Sequence, residues 1–412
     1  MRRGTVLAAL AATAAVLTGC TTPGGPARSA PSPASSSAGP AATDRSPAGL
    51  ATSTAPSPPP PGTLLVTDFG ADTVTFVDPA RRAGSAVLGS VRVGTAPQGI
   101  VAGPDGTAWV ATAEGVAVVD TAARTRTALI PYRTRTGPVT TGEYRGGGMG
   151  LALSPDGSRL YAGVNVPGRN GVLEVVDTAR RSVVATVPVG RRPFDVDVSR
   201  DGRQVYVTGH DSFDVTVVDP ARRSTRRIEV APYGTEGGLG SWLKPHHTAV
   251  RPSDGALLLP FEGERLAVVD PDTGRVRVER MTADTHQHGV TVAADGTLYV
   301  VGTGPVDPAE DTGPSLTIRR PSGAERVIPL DGPHEDVALS ADGRTAYVSG
   351  GFTRDGHWDG LSVVGTRTGT VTRLAAGHRP LGIAVLPGHP GATAPPSPAS
   401  APPSPAGPRP SR

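Results

Sequence analysis

Short runs of β-branched and other apolar residues follow one another along residues 63–388. Within 192–230, for example, the chain reads FDVDVS, QVYVTG, DVTVVD and TRRIEV in succession, with Asp-Gly or Pro at two of the breaks. Apolar alternation bounded by such turn residues is the usual signal of strands joined by hairpins. This stretch therefore predicts four consecutive antiparallel strands.

The same four-strand unit recurs along the chain at a spacing of about 40–50 residues, which is typical of propeller and solenoid repeats. Its second strand appears as LLVTD, AWVAT, RLYAG, QVYVT, ALLLP, TLYVV and AYVSG. Its first strand appears as PQGIVAGPDG (97–106), GMGLALSPDG (148–157), PFDVDVSRDG (193–202), HHTAVRPSDG (246–255), HGVTVAADG (288–296), EDVALSADG (335–343) and PLGIAVLPG (380–388). Both of these strand types thus have seven copies.

The two ends of this repeat array are out of phase. The array opens on a strand of the second type, Leu64–Asp68, and finishes on a strand of the first type, Pro380–Leu386. A closed ring in which the last strand completes the first blade accounts for both ends, and closure also protects sheet edges. The sequence therefore predicts an all-β fold, a seven-bladed β-propeller over residues 63–388.

The consensus of one repeat unit is a first strand, the turn S-x-D-G, a second strand x-Y-V-T/A and a third strand V-x-V-V-D-x-x. It resembles the YVTN-type β-propeller repeat of bacterial surface and periplasmic proteins, and the resemblance covers all of 63–388. Proteins with this repeat include binding proteins, lactonase-like enzymes and redox enzymes. The resemblance therefore implies the fold and leaves the activity open.

The amino terminus, MRRGTVLAALAATAAVLTGC, places two arginines before a short apolar run. The run is too short to span a bilayer comfortably, and this pattern is typical of a secretory signal. Its last four residues, Leu17 to Cys20, resemble the bacterial lipobox, which implies cleavage to leave Cys20 as a lipid-modified terminus. Residues 1–20 are thus predicted to be a lipoprotein signal peptide. Cys20 is the only cysteine, so an intramolecular disulfide is excluded.

Residues 21–62 and 389–412 consist mainly of Pro, Ser, Ala, Thr and Gly, which predicts a disordered tether and a disordered tail. The net charge of +3 comes without a concentrated basic stripe, so no nucleic-acid partner is expected. The excess of arginine over lysine, with the Ala, Pro and Gly bias, is typical of a GC-rich genome. We therefore expect a cell-envelope protein, lipid-anchored to the outer face of the cytoplasmic membrane.

The histidines are distributed unevenly over the predicted propeller. In such a fold the loop before each first strand and the loop between second and third strands lie on one face of the disc. Eight of the nine histidines fall in these loops: His246, His247, His286, His288, His334 and His378 before first strands, and His210 and His357 between second and third strands. The sequence thus predicts a histidine-rich mouth of the central channel.

Neutral imidazole is a common ligand of zinc and copper, and carboxylates complete or orient such ligand sets. The predicted metal ligands are His246, His288 and His334, followed by His247 and His286. The predicted residues of a wider ligand site are Asp195, Glu335, Asp336, His210, His357 and Trp242. Two alternatives stay open: the mouth binds a polar or anionic organic molecule, or its histidines only line a water-filled channel.

Recognisable hydrolase and nucleotide motifs are missing from the sequence, which contains no G-x-S-x-G, no phosphate-binding loop and no dinucleotide fingerprint. The sequence therefore favours a binding or scaffolding propeller whose partner is an envelope protein or a small polar ligand. The competing hypothesis is a metal-dependent hydrolase or oxidoreductase that uses the same mouth, with Glu335 as the candidate base.

Overall fold

The computed structural model describes residues 57–230, 244–261, 263–304, 313–351 and 356–387. These residues form strands almost throughout, with one short 3-10 helix at Ala83–Ser85. None of the helical segments among them is long and apolar enough to span a membrane.

In the described part of the chain, twenty-eight strands form seven four-stranded antiparallel sheets, here called blades 1 to 7. Blade 1 joins the last strand, β28, to the first three strands. The strands of blade 1 are β28 (Pro380–Val385), β1 (Leu64–Asp68), β2 (Thr73–Val77) and β3 (Val87–Arg92). Those of blade 2 are β4 (Ile100–Ala102), β5 (Thr107–Ala111), β6 (Gly115–Asp120) and β7 (Thr125–Pro131). Those of blade 3 are β8 (Gly147–Leu153), β9 (Arg159–Asn165), β10 (Val172–Asp177) and β11 (Ser182–Pro188).

The other four blades follow the same order of consecutive strands. The strands of blade 4 are β12 (Pro193–Val198), β13 (Val205–Gly209), β14 (Asp214–Asp219) and β15 (Ser224–Glu229). Those of blade 5 are β16 (Ala249–Val250), β17 (Leu257–Phe261), β18 (Gly263–Val269) and β19 (Val276–Thr285). Those of blade 6 are β20 (Gln287–Val292), β21 (Leu298–Gly302), β22 (Ser315–Arg319) and β23 (Glu325–Pro329). Those of blade 7 are β24 (Val337–Leu339), β25 (Thr345–Ser349), β26 (Gly360–Gly365) and β27 (Val371–Ala375).

Ring closure occurs in blade 1, as the phase of the repeat predicts. Strand β28 pairs with β1 in antiparallel register, with Leu64 opposite Val385 and Val66 opposite Ile383. Backbone hydrogen bonds continue the ladder, since Leu386 N–H donates to Thr63 O at 2.8 Å. The prediction of a seven-bladed propeller closed by its last strand is confirmed.

The Asp-Gly pairs of the repeat form the turns between first and second strands. In blade 4, Gly202 has a φ of 71°, in the left-handed region that favours glycine. The preceding Asp201 accepts a hydrogen bond from Arg203 N–H at 3.0 Å, which closes the turn. The equivalent Asp342 accepts from Arg344 N–H at the same distance in blade 7. These aspartates therefore build blades, and their repetition carries no functional signal.

Apolar packing occurs between neighbouring blades. Phe213 and Val215 of blade 4, for example, pack with Leu257 and Leu259 of blade 5 in one fully buried cluster. Each sheet buries both faces of its middle strands, so the sequences of these strands are continuous apolar runs. In the outermost strands, buried apolar residues alternate with exposed polar ones. This packing sets the angle between blades and leaves the connecting loops available for other roles.

A central channel runs between the innermost strands, and every blade contributes to its wall. Within it lies a cavity of about 420 Å³, lined by residues from all seven blades. Residues 57–62, the last part of the predicted tether, lie against the ring, where Gly62 N–H donates to Leu386 O at 3.0 Å. The rest of the tether, the tail and Cys20 lie outside the described residues.

We predict that removal of β28 prevents stable folding. A chain that ends at Gly377 loses the buried side chains of Leu381 and Ile383 and exposes the edge of β1, all of whose residues are buried. Each buried aliphatic side chain contributes about 1.5–3 kcal/mol, and a whole domain has only about 5–15 kcal/mol. We expect a melting temperature lower by roughly 10 °C or more, or aggregation, by circular dichroism. A chain that ends at Pro387 keeps β28 and is the matched control, and equal melting of the two chains contradicts the closure.

Candidate metal centre

Three histidines from two adjacent blades meet at the channel mouth. His246 precedes β16 of blade 5, His286 lies between β19 and β20, and His288 is in β20 of blade 6. All three are buried, with exposures of 4–6%. One nitrogen from each ring lies within 4.8 Å of a nitrogen of the other two. We call these three residues the buried histidine group.

The rings of the group are in direct contact. His288 Nε2 lies 3.1 Å from His286 Nε2, and the rings of His246 and His288 stack with centroids 3.9 Å apart. A fourth ring joins them from blade 4, because His210 Nε2 lies 3.1 Å from His246 Nε2. The structure thus brings together four of the predicted site histidines from three blades.

Backbone geometry fixes the positions of these rings. His286 N–H donates to Gly304 O at 2.9 Å, and Thr303 N–H donates back to His286 O at 2.8 Å. Gly289 lets β20 approach blade 7 closely, since a Cβ there would lie 2.5 Å from Glu335 O. This approach places Glu335 Oε2 at 3.0 Å from His288 Nδ1.

Two carboxylates lie behind the histidine rings. Glu335 contacts His288, as described, and Asp211 Oδ1 lies 2.7 Å from His210 Nδ1. Asp211 Oδ1 also accepts from Lys244 Nζ at 2.9 Å. The hydrogen bond from His210 to Asp211 fixes the tautomer of that ring and increases the basicity of its opposite nitrogen, and Glu335 acts on His288 through its charge. The sequence analysis did not predict this role of Lys244, although a single lysine in a chain rich in arginine could have indicated one.

Burial keeps these imidazoles neutral. Burial lowers the pKa of His246 well below its ordinary value, and the neighbouring His288 and His210 rings lower it further. Burial also lowers the pKa of His210, with a contribution from the positive charge of Arg192. The pKa of His288 is likewise lowered by burial, despite the opposing charge of Glu335. Neutral rings retain the lone pair that binds a metal ion.

The spacing of the rings is compatible with an ion. Two imidazole nitrogens bound to one tetrahedral zinc ion at 2.0–2.1 Å lie about 3.3 Å apart. The observed contact of 3.1 Å between His286 and His288 needs only a small opening. In addition, His246 Nδ1 is buried and has no hydrogen-bond partner within the described residues. The buried histidine group therefore has donors and spacing suited to a metal ion, and burial keeps His246 and His288 neutral.

His247 faces away from its neighbour His246 and towards the channel. Its Nδ1 lies 3.6 Å from Asp195 Oδ2. Burial alone lowers the pKa of His247, but the adjacent carboxylate of Asp195, with the charges of Asp336 and Glu335, raises it to about 9. His247 is thus a cation paired with carboxylates, and the structure does not bring it into the buried histidine group.

The channel below the mouth is acidic. Asp195, Glu335 and Asp336, three residues of the predicted ligand site, line the cavity together with Asp197. Burial raises the pKa of Asp336 to about 6. Burial and the nearby Asp195 raise the pKa of Asp197 well above its ordinary value. Asp197 was missed, although it follows Asp195 by two residues and so lies on the same face of β12.

His334 lies in a different environment. Its Nε2 is 2.8 Å from Ser362 Oγ and its Nδ1 is 2.7 Å from Gly332 O. Its ring packs against Trp358, with centroids 5.5 Å apart. Since protein atoms occupy both ring nitrogens, the structure does not bring His334 into the buried histidine group. His357 lies near Asp359 and His378 in a separate group. Trp242 lies outside the described residues.

Comparison with known proteins supports the fold only. No family model matches the chain, and no curated protein sequence matches it. Among solved structures, hydrazine synthase of Kuenenia stuttgartiensis is 19% identical with a TM-score of 0.54, covering 69% of this chain and 88% of that one. A virginiamycin B lyase from Staphylococcus aureus is 13% identical with a TM-score of 0.52, covering 76% and 91%. The periplasmic gluconolactonase of Pseudomonas aeruginosa is 19% identical with a TM-score of 0.53, covering 79% and 98%.

The environment of His334 generates a prediction about pH. Burial lowers its pKa from 6.5 to about 4. Between these values the unfolded chain binds a proton that the folded chain does not, so stability falls as the pH falls below about 6.5. In chelator, we expect wild type to lose on the order of 2 kcal/mol relative to His334→Gln between pH 7.5 and 4.5, by urea unfolding. A difference that stays constant over this range contradicts the burial of a neutral ring.

Proposed function

We propose that this protein is an extracytoplasmic β-propeller that binds a transition metal ion through His246, His286 and His288. The observation that carries the proposal is the convergence of three buried imidazoles, from two blades, with nitrogens within 4.8 Å of one another. Their chemistry favours zinc or copper, since imidazole suits both ions and the mouth contains no thiolate among its described residues.

The energetics of the group support the same conclusion. Buried polar atoms without a partner are costly, and buried groups in folded proteins are normally satisfied. Here His246 Nδ1 has no partner in the described part of the chain, and the Nε2 atoms of His286 and His288 face each other at 3.1 Å. An ion bound here takes up lone pairs of several ring nitrogens at once, and no proton has to leave His246 or His288, which burial keeps neutral.

The fourth coordination position decides between two functions. His210 Nε2 lies 3.1 Å from His246 Nε2 but outside the set of three whose ligand atoms lie within 4.8 Å of one another, so His210 completes a closed four-histidine shell only after its ring moves inward. A closed shell suits binding, storage or a structural role, which we favour. An open position with a bound water suits a metal-dependent hydrolase or oxidoreductase. One observation favours that second function: Glu335 contacts His288 and also lines the 420 Å³ cavity, where a substrate has room.

Location and partners complete the proposal. A lipid on Cys20 anchors the chain to the outer face of the cytoplasmic membrane, and the tether holds the propeller in the envelope. There the mouth is accessible to an envelope protein or a small polar ligand. Support for this part comes from the signal-like amino terminus alone.

Metal analysis tests the site. We expect the triple variant His246→Gln, His286→Gln, His288→Gln to bind one equivalent of zinc or copper fewer than wild type, by equilibrium dialysis and mass spectrometry. At a hundred times the dissociation constant, one bound ion adds about 2.7 kcal/mol of stability, or roughly 5–10 °C in melting temperature. His334→Gln is the matched control and keeps the equivalent, because its nitrogens are satisfied by the protein. Equal metal binding by wild type and triple variant rules the site out.

The substitution Glu335→Gln tests whether Glu335 strengthens the binding of a metal ion by His288. The substitution preserves shape and removes the negative charge 3.0 Å from His288 Nδ1. We expect affinity for zinc to fall about 10–100-fold with the stoichiometry unchanged, by competition with a chromophoric chelator. Unchanged affinity shows that Glu335 does not orient His288.

Lipidation is tested with Cys20→Ser. In a bacterial host, we expect the wild-type chain to fractionate with membranes and to carry the mass of an acylated amino terminus, and the variant to lose both properties. Membrane association that survives the substitution contradicts the anchor.

A further inference from the structure

A second set of ligand-type side chains lies at the boundary between blade 7 and blade 1. His357 and Asp359 belong to the loop between β25 and β26, and His378 precedes β28. One ligand atom from each lies within 4.8 Å of the others. Unlike the buried histidine group, this set is open to solvent, with His378 and Asp359 side chains 49% and 52% exposed. We call these three residues the closure group.

Contacts within the closure group are close to those of a ligand shell. His378 Nδ1 lies 3.0 Å from both carboxylate oxygens of Asp359. The rings of His357 and His378 lie 5.4 Å apart at 77°. A nitrogen and an oxygen bound to one tetrahedral zinc ion lie about 3.3 Å apart. For this pair, an ion therefore requires an opening of a few tenths of an ångström and the removal of the proton between the two groups, and His357 has to bring in a ring nitrogen that lies within 4.8 Å.

The backbone on both sides is held independently of any ion. Between the two loop ligands, Trp358 Nε1 donates to Pro333 O at 3.2 Å. On the other side, Gly70 N–H donates to His378 O at 3.1 Å. The His378 ring lies over Gly70, where a Cβ would approach its Cδ2 to 2.4 Å. The orientation of the His378 ring is thus fixed, with Nδ1 towards Asp359.

The contact between His210 and His246 arises from the same arrangement of neighbouring blades as the closure group. There, a loop between second and third strands of blade 4 meets the residue before the first strand of blade 5. In the closure group, the equivalent loop of blade 7 meets the residue before the first strand of blade 1. Arg379 places a positive charge near His357, and the carboxylate of Asp359 offsets it.

We propose that His357, Asp359 and His378 form a second metal site, which binds a divalent ion such as zinc through two imidazoles and one carboxylate. Its remaining coordination positions face solvent and take water or an exogenous ligand. Because β28 pairs with β1, an ion here connects blade 7 to the strand that closes the ring. The ion thus links blade 7 to blade 1 where the ring closes, and we call this proposed site the clasp. The proposal does not depend on metal binding by the buried histidine group.

Zinc stoichiometry of the full-length chain tests the clasp. Four proteins are compared by equilibrium dialysis: wild type, the closure variant His357→Gln with His378→Gln, the triple variant of the buried histidine group, and the combination of all five substitutions. We expect wild type to bind two equivalents of zinc, the closure variant and the triple variant one each, and the five-residue variant none. The matched control His389→Gln, outside both groups, binds as wild type does.

Two further measurements separate the sites. Because the closure group is exposed, we expect the equivalent that remains in the triple variant to be removed by excess chelator at least tenfold faster than the one that remains in the closure variant. We also expect zinc to raise the melting temperature of the triple variant by several degrees and to leave that of the five-residue variant unchanged.

The outcomes are distinguishable. If the triple variant binds no zinc, or the closure variant still binds as many equivalents as wild type, the clasp is wrong and the buried site is unaffected. If wild type binds a single zinc equivalent, which the closure variant loses and the triple variant keeps, the second metal site is supported and the proposed function is wrong. A metal-independent melting temperature in the triple variant also contradicts the clasp.

Discussion

The pairing of β28 with β1 is the interaction on which the rest of the structure depends. It converts seven similar sheets into a ring, and only in a ring do seven innermost strands face one axis. The fully buried strand β1 has no other partner on that side. Closure therefore protects an exposed edge and, through the same hydrogen bonds, creates the channel in which side chains from distant parts of the sequence meet.

Ligand sets arise where neighbouring blades touch. In each case a loop between second and third strands comes against the residues that enter the next blade, as with His210 and His246, or Asp359 and His378. The two sets differ in their environment. Burial keeps the first set neutral and isolates it from water, and exposure keeps the second accessible. One repeated geometry thus supplies two sets of ligand-type side chains, a buried one at the mouth and an exposed one at the closure.

Charge is organised along the channel. Neutral imidazoles occupy the mouth, a cationic His247 lies next to Asp195, and the wall below carries Asp197 and Asp336 with raised pKa values. The chain as a whole carries a net charge of +3, yet no lysine or arginine lines this cavity in the described residues. The cavity wall is therefore rich in carboxyl groups, and the raised pKa values of Asp197 and Asp336 mean that bound protons neutralise part of their charge.

The sequence by itself determined the strands, the turns, the number of blades and the closure, because strand alternation and Asp-Gly turns are local patterns with a period that can be counted. It also determined the face on which the histidines lie. The tertiary structure alone decided which histidines meet: His286 joined His246 and His288, whereas His334 bonded to Ser362 and His247 turned to Asp195. Those distances depend on the rotation and separation of adjacent blades, which are set by apolar packing between sheets far apart in the chain and are not encoded in any local pattern.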